Sequence, residues 1–381
     1  MKSVYYWSPF LTDVATTSAV IQSAISLKKY SKIHKPIIID VCGEFKKYDD
    51  IISKNNVELK KLVNLNYFNL LPKNGYFKSR FSFIIIFIFS AYPLYKILKK
   101  DKPDFLICHL ITSLPILLAS IFMFKTKFIL RISGLPRLNI VRKLYWLICG
   151  KALNKITSPT EATLNELREK KLFNNNKLFL LRDPVIDIKK INMLKKNKID
   201  NFLDKQEFLV GIGRLTKQKN FIFLINCFHK IAMSDKNLKL VILGEGEERK
   251  KLTQMINKYN LQEKIYLLGY KENVFNYLSK AKIFILSSLW EDPGWVLLEA
   301  AASNTLILSS NCKNGPSEII EKNKSGFLYE VNNEKDFVEK FNIIKGLSNS
   351  QIKLKKIYAK KKSYQYTKFQ HFKVLEKILK N

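Results

Sequence analysis

The chain has 381 residues, 47% of them hydrophobic, which is too much for one ordinary core and points to two domains. Its 66 basic and 32 acidic residues leave a net charge of +34, carried by 58 Lys and only 8 Arg. The excess is spread out, with 35 basic and 14 acidic residues in 1–200 and 31 and 18 in 201–381. No recognition motif gathers it with aromatic residues, so a basic nucleic-acid-binding protein is only a remote alternative and no nucleic-acid partner is expected.

Five cysteines lack C-x-x-C spacing and mostly sit in apolar runs, which fits a reducing, cytoplasmic setting without a disulfide frame. The first residues enter a strand-like run with no basic segment and cleavable apolar stretch, so no secretion signal is expected.

Short apolar runs alternate with helical-period segments, the pattern of α/β domains whose parallel sheets are covered on both faces. Strands are expected near Val4–Trp7, Pro36–Val41, Asp104–Cys108, Phe128–Ile132 and Lys155–Thr157. They recur near Phe208–Ile212, Lys239–Leu243, Lys264–Leu268, Ile283–Leu286 and Thr305–Leu308. The intervening Asp183–Asp204 has a proline, many Lys and Asn and little periodicity, which puts a domain junction near Pro184.

The most apolar stretch, Phe81–Tyr95, is flanked by Lys78, Arg80, Lys96, Lys99 and Lys100. Its uninterrupted part falls short of the roughly 20 residues of a spanning helix and Pro93 is expected to break it, so a buried or interfacial helix is expected instead. Residues 51–100 hold nine basic residues and one acidic, which suits peripheral contact with an anionic membrane.

Chemistry concentrates in the second half. After the strand ending at Leu286 comes SSLWEDPGWVLLE, where Pro293 and Gly294 suit a turn that opens a helix running through Ala301. The early amides of Gly294, Trp295 and Val296 would face a phosphate or sugar, with the carboxylates of Glu291 and Glu299 on either side to accept hydrogen bonds from hydroxyls. Gly211–Asn220, GIGRLTKQKN, ends a strand in glycines and supplies Arg214 and Lys219 for a diphosphate. Gly244 and Gly246 of GEGEE close another strand end. All lie where open α/β sheets bind ligands.

In this order the residues Gly213, Arg214, Leu215 and Lys219, then Gly244 and Gly246, then Glu291 and Glu299, then Gly315, Pro316 and Glu318 resemble the donor site of the retaining glycosyltransferases of family four, over about residues 207–330. The resemblance implies a GT-B fold, with two Rossmann-like domains facing each other across a cleft. It implies an acceptor domain over 1–184, a nucleotide-sugar donor domain over 185–352, and a C-terminal helix over 353–381 that returns to the first domain. Arg214 and Lys219 would hold the diphosphate, Glu291 and the Gly294–Val296 backbone the donor sugar, and Glu299 the ribose. The substrates implied are a nucleotide-diphosphate sugar carrying a hexose or N-acetylhexosamine and a glycan or lipid-linked acceptor, in the setting of bacterial surface polysaccharide or lipopolysaccharide assembly. No metal or other cofactor is implied, and an epimerase or phosphorylase of the same fold is the alternative.

Two departures from the family pattern stand out. The loop Ser8–Thr17 has no glycine, and Ser133–Gly134 stands where many members have His-Gly. His109, at a strand end, is a catalytic candidate as base or sugar contact, with an ordinary half-buried histidine as the other reading. Arg131 and Arg137 bracket the Ser133–Gly134 turn and could face an anionic substrate.

Overall fold

The computed structural model describes residues 1–11, 15–63, 68–72, 76–134, 138–235 and 237–380, with the side chains of 68 and 76–79 left out. It divides into two units, Met1–Val185 with Lys368–Asn381, and Ile186–Thr367.

The first unit runs β1 (Lys2–Trp7), α1 (Ala15–Tyr30), β2 (His34–Asp40), α2 (Asp49–Lys54), β3 (Glu58–Lys61), α3 (Tyr76–Lys100), β4 (Phe105–Cys108), α4 (Ser113–Ile121) and β5 (Lys127–Arg131). It continues through α5 (Ile140–Cys149), β6 (Lys155–Ser158), α6 (Glu161–Glu169) and β7 (Leu178–Leu180). Its seven strands are parallel in the order β3-β2-β1-β4-β5-β6-β7. The alternating side chains of β1 sort the two cores. Tyr5 and Trp7 join one with Ile86, Leu94 and Leu98 of α3, Leu114 of α4 and Trp146 of α5. Val4 and Tyr6 join the other with Val20 and Leu27 of α1.

The second unit runs α7 (Ile188–Leu194), β8 (Phe208–Ile212), α8 (Phe221–Ala232), β9 (Lys239–Leu243), α9 (Arg249–Lys258), β10 (Ile265–Leu267), α10 (Phe275–Lys280) and β11 (Ile283–Leu286). Then come α11 (Trp295–Ala302), β12 (Leu306–Ser310), α12 (Pro316–Ile320), β13 (Phe327–Tyr329), α13 (Glu334–Lys345) and α14 (Asn349–Ser363). Its six parallel strands are ordered β10-β9-β8-β11-β12-β13. A last helix, α15 (Lys368–Lys380), packs on α1 and sends Leu375, Ile378 and Leu379 into the first unit's core.

Several expectations are corrected. The segment after residue 353 does not return as one piece: α14 stays in the second unit against α11, and the crossing falls at Lys368. The lysine-rich junction after Pro184 contains α7, started by Asp187, whose side chain accepts from the Lys190 amide. Pro93 does not end α3, a helix of 25 residues. Proline removes one helical hydrogen bond, but Ile86 before it and Leu94, Ile97 and Leu98 after it are all buried in the same core, so packing holds both halves in line. Arg80–Lys100 is thereby long and apolar enough to cross a membrane by length and composition, and only 28% of its apolar window is buried, unlike an ordinary core helix.

Candidate functional site

Four strand ends of the second unit build the site. Gly213 follows β8, and its amide donates to the Leu243 carbonyl at 3.0 Å, which ties the loop after β8 to the end of β9. Gly244 is required there by contact: a Cβ on it would lie 1.9 Å from the Gly213 oxygen. A Cβ on Gly246 would lie 2.4 Å from the Leu215 oxygen. These two glycines therefore act by letting two backbones meet, after which the Leu215 amide reaches the Glu245 oxygen at 2.9 Å and the Glu248 amide reaches the Leu215 oxygen at 3.0 Å.

Gly213 serves in another way. The aliphatic stem of Lys219 passes over it, its carbons 3.0–3.1 Å from where a Cβ would stand. Guided over this glycine, the Lys219 ammonium donates to Glu291 Oε1, and both side chains are largely buried. The Ser288 hydroxyl donates to the same carboxylate oxygen at 2.6 Å. The loop carrying Glu291 is stitched on both sides, by the Leu289 amide to the Gln218 oxygen at 2.8 Å and by the Glu291 amide to the Lys313 oxygen at 3.2 Å. Gly315 allows the second approach, since a Cβ there would meet the Pro293 oxygen at 2.0 Å.

The helix α11 begins beside this pair. Gly294 is its N-cap at φ +87°, a conformation that favours glycine, and a Cβ there would stand 3.3 Å from Glu291 Cγ. Trp295 and Val296 open the helix, where their amides precede any intrahelical acceptor. Glu299 sits in the second turn, and burial raises its carboxyl to about 7 against the opposing pull of the Lys219 charge. Arg214 is exposed. It lines a cavity of about 420 Å³ with Gly213, Gly244, Glu245, Tyr270 and Lys271, a size suited to a small organic ligand.

Sequence reasoning missed Tyr270, Lys271 and Glu245 in this lining, and Ser288 beneath the ion pair. The signal was present: Gly269 closes β10 as Gly213 and Gly244 close their strands, and its φ of +74° puts the loop into the left-handed region. Glu318 starts α12 with its amide on the Gly315 oxygen at 3.0 Å.

The remaining candidates belong to the first unit. His109 follows β4, stacked on Tyr6, with both ring nitrogens buried and without a hydrogen-bond partner among the described residues. Burial, then the Arg131 charge, hold its pKa well below the ordinary value, so it is neutral. It adjoins a cavity with room for about one water, shared with Arg131, Thr157 and His371. Arg131 is turned inward. It is 3% exposed, donates to the Leu181 oxygen at 2.5 Å, and pairs with Asp183, because the guanidinium at the end of β5 is turned into the unit's interior. Arg137 and residues 12–14 of the Ser8–Thr17 loop lie outside the described residues.

Residues 192–362, the segment holding every second-unit residue of the candidate site, match the family glycosyl transferases group 1. An uncharacterized glycosyltransferase of Methanocaldococcus jannaschii is 33% identical over 60% of this chain, and the match spans 61% of that relative. A Campylobacter jejuni enzyme, N-acetylgalactosamine-N,N'-diacetylbacillosaminyl-diphospho-undecaprenol 4-alpha-N-acetylgalactosaminyltransferase, is 27% identical over 69% of this chain and 72% of its own length. A solved glycosyltransferase from Rickettsia africae superposes with a TM-score of 0.79 at 18% identity, covering 100% of this chain and 98% of that one. The chain has the GT-B fold, and its second unit carries the segment that matches the glycosyl transferases group 1 family.

Proposed function

We propose that the protein is a retaining glycosyltransferase that moves a hexose or N-acetylhexosamine from a nucleotide-diphosphate sugar to a glycan or lipid-linked acceptor. The observation that carries this reading is the Lys219–Glu291 pair set between the opening of α11 and the Arg214-lined cavity. The cavity takes the nucleotide, Arg214 and Lys219 meet the diphosphate, and the amides of Trp295 and Val296 add the helix dipole. Glu291 accepts from donor-sugar hydroxyls and Glu299 from the ribose.

Catalysis is positional and electrostatic. An oxocarbenium-like sugar and a departing diphosphate are stabilised by fixed cations and amides, without a metal or other cofactor, and the departing phosphate takes the acceptor's proton on the same face. The Campylobacter jejuni relative's name records a diphospho-undecaprenol-linked substrate, which supports a lipid-linked acceptor here and a role in surface polysaccharide or lipopolysaccharide assembly. Such an acceptor suits a cytoplasmic protein held peripherally at the inner face of the membrane. The exposed Phe81, Ile84, Ile88, Phe89 and Tyr92 of α3 supply the contact, and Lys96, Lys99 and Lys100 meet anionic lipid.

The test is a panel of nucleotide sugars scored first by thermal stabilisation and then by transfer. Release of nucleoside diphosphate together with a product of unchanged anomeric configuration supports the reading. Epimerised donor, phosphate-dependent cleavage, or an inverted product would overturn it.

A further inference from the structure

The α5 helix is apolar on two opposite sides. Trp146 and Cys149 face the core, with Tyr145 packed against it. Ile140, Val141, Leu144, Leu147 and Ile148 are exposed, at 79%, 75%, 52%, 38% and 66%. At 100° per residue these five fall within an arc of about 120°, on the side away from the core. A stripe of five large apolar side chains in a ten-residue helix is not the scatter of single hydrophobics that an ordinary surface carries.

Its surroundings say what covers it. Both α5 and α3 pack on α4 in the same layer over the first unit's sheet, so the exposed faces of α3 and α5 flank one helix. At the end of that helix Ile121 and Met123 are also exposed, at 61% and 95%. Residues 76–151, which span this layer, contain 13 basic and 2 acidic residues. The cavity at the carboxyl end of α5 is lined by Lys151, Lys171 and Lys177 beside Trp146 and Leu147, with no acidic residue. An apolar stripe bordered by cations of one sign matches the boundary of an anionic bilayer, with acyl chains against the stripe and headgroup phosphates at the lysines. A protein partner or second copy would have to supply the missing negative charge, and a second copy of this basic face would repel it.

We propose that the outer face of α5 is a lipid-contacting surface that, with α3, seats the first unit on an anionic membrane, Lys151 and Lys171 meeting lipid phosphate. This inference rests on the membrane contact proposed above through α3 and adds a second element that the run Phe81–Tyr95 does not contain.

The test uses the full chain and sedimentation with phosphatidylglycerol-containing and pure phosphatidylcholine vesicles at low and high salt. One variant carries Leu144→Glu and Ile148→Glu, a second Lys151→Gln and Lys171→Gln, and a third Ile84→Glu and Ile88→Glu. Thermal stabilisation by nucleoside diphosphate and the far-ultraviolet spectrum check that each variant is folded. The first and third variants are expected to lose tenfold or more in binding to anionic vesicles, and the second to lose severalfold along with part of the salt dependence. If the first variant binds as the wild type does while the third is impaired, the inference falls and the α3 reading stands. If the wild type ignores both vesicle types, both fall. A first variant that binds vesicles normally but sediments as a smaller species than the wild type identifies the face as a self-association surface and overturns the proposal.

Discussion

Lys219 and Glu291, 72 residues apart in sequence, are joined as an ion pair over Gly213, with only 15% and 7% of their side chains exposed. A pair so buried holds its geometry, but removing one partner strands the other. Breaking a buried pair costs about 3–5 kcal/mol. Lys219→Ala and Glu291→Ala are expected to destabilise the protein by a few kcal/mol each and to abolish transfer. The double variant is expected to be less destabilised than the sum, which a double-mutant cycle by chemical denaturation measures.

Arg214 is exposed, so its removal is expected to leave stability unchanged while weakening the nucleotide. A charge-assisted bond to diphosphate contributes about 1.5–3 kcal/mol, one to two decades in Kd. Calorimetric titration of Arg214→Ala with nucleoside diphosphate checks this, and unchanged affinity removes Arg214 from the site.

Glycine substitutions separate contact from conformation. Gly244→Ala places a methyl group 1.9 Å from backbone and is expected to unfold the second unit or forfeit nucleotide binding. Gly346→Ala meets nothing nearer than 3.7 Å at an ordinary backbone angle and is expected to be tolerated. Melting curves of the two variants make the comparison.

Glu299 titrates near 7 in the free protein because burial favours its neutral form. A ribose hydroxyl donates best to the ionised carboxylate, so nucleotide affinity is expected to rise from pH 6 to pH 8, by up to about tenfold per unit below 7. Glu299→Gln is expected to flatten the profile. It also follows that Glu299→Ala weakens free nucleotide, whereas Glu291→Ala impairs transfer more than nucleotide binding. Equal loss of nucleotide in both would reverse the assignment of sugar and ribose.

His371 fastens α15 to the first unit, with Nδ1 at 2.6 Å from the Arg182 oxygen and Nε2 at 2.7 Å from the Ser23 hydroxyl. Burial lowers its pKa to about 4. The unfolded chain therefore binds the extra proton between about 6.5 and 4, and stability falls as pH drops through that window, by about 1.4 kcal/mol per pH unit for each such group. His109 and His34 are shifted the same way and share the slope. Denaturation of His371→Gln at pH 4 to 7 is expected to show a shallower dependence by about one proton.

Much of the fold could be read directly, because central strands of a parallel sheet are buried on both faces and announce themselves as apolar runs. Phe208–Ile212, Lys239–Leu243 and Ile283–Leu286 stand where their composition puts them. The strands that escaped, β3, β7 and β13, are all at sheet edges. Three of the four residues of Glu58–Lys61 are charged, and the other two strands have three residues each. An edge strand is covered less and needs no apolar run. In the candidate site, Gly213, Gly244 and Gly246 were legible because glycines at strand ends mark close backbone approaches. Arg131 was misjudged because its partner Asp183 is 52 residues away and meets it only after folding. Pro93 was misjudged because local propensity says nothing about the core on which α3 lies.

The placement of α15 affects the order in which the molecule can be made. Its leucines and isoleucine complete a core that β1 and α1 begin, yet the whole second unit is translated between them. A ribosome adds roughly 5–20 residues per second, so the nascent first unit waits many seconds with the surface that α15 will cover open to water and to chaperones. The second unit has no such debt and can finish first, which inverts the usual rule that the amino-terminal domain folds before the one that follows it.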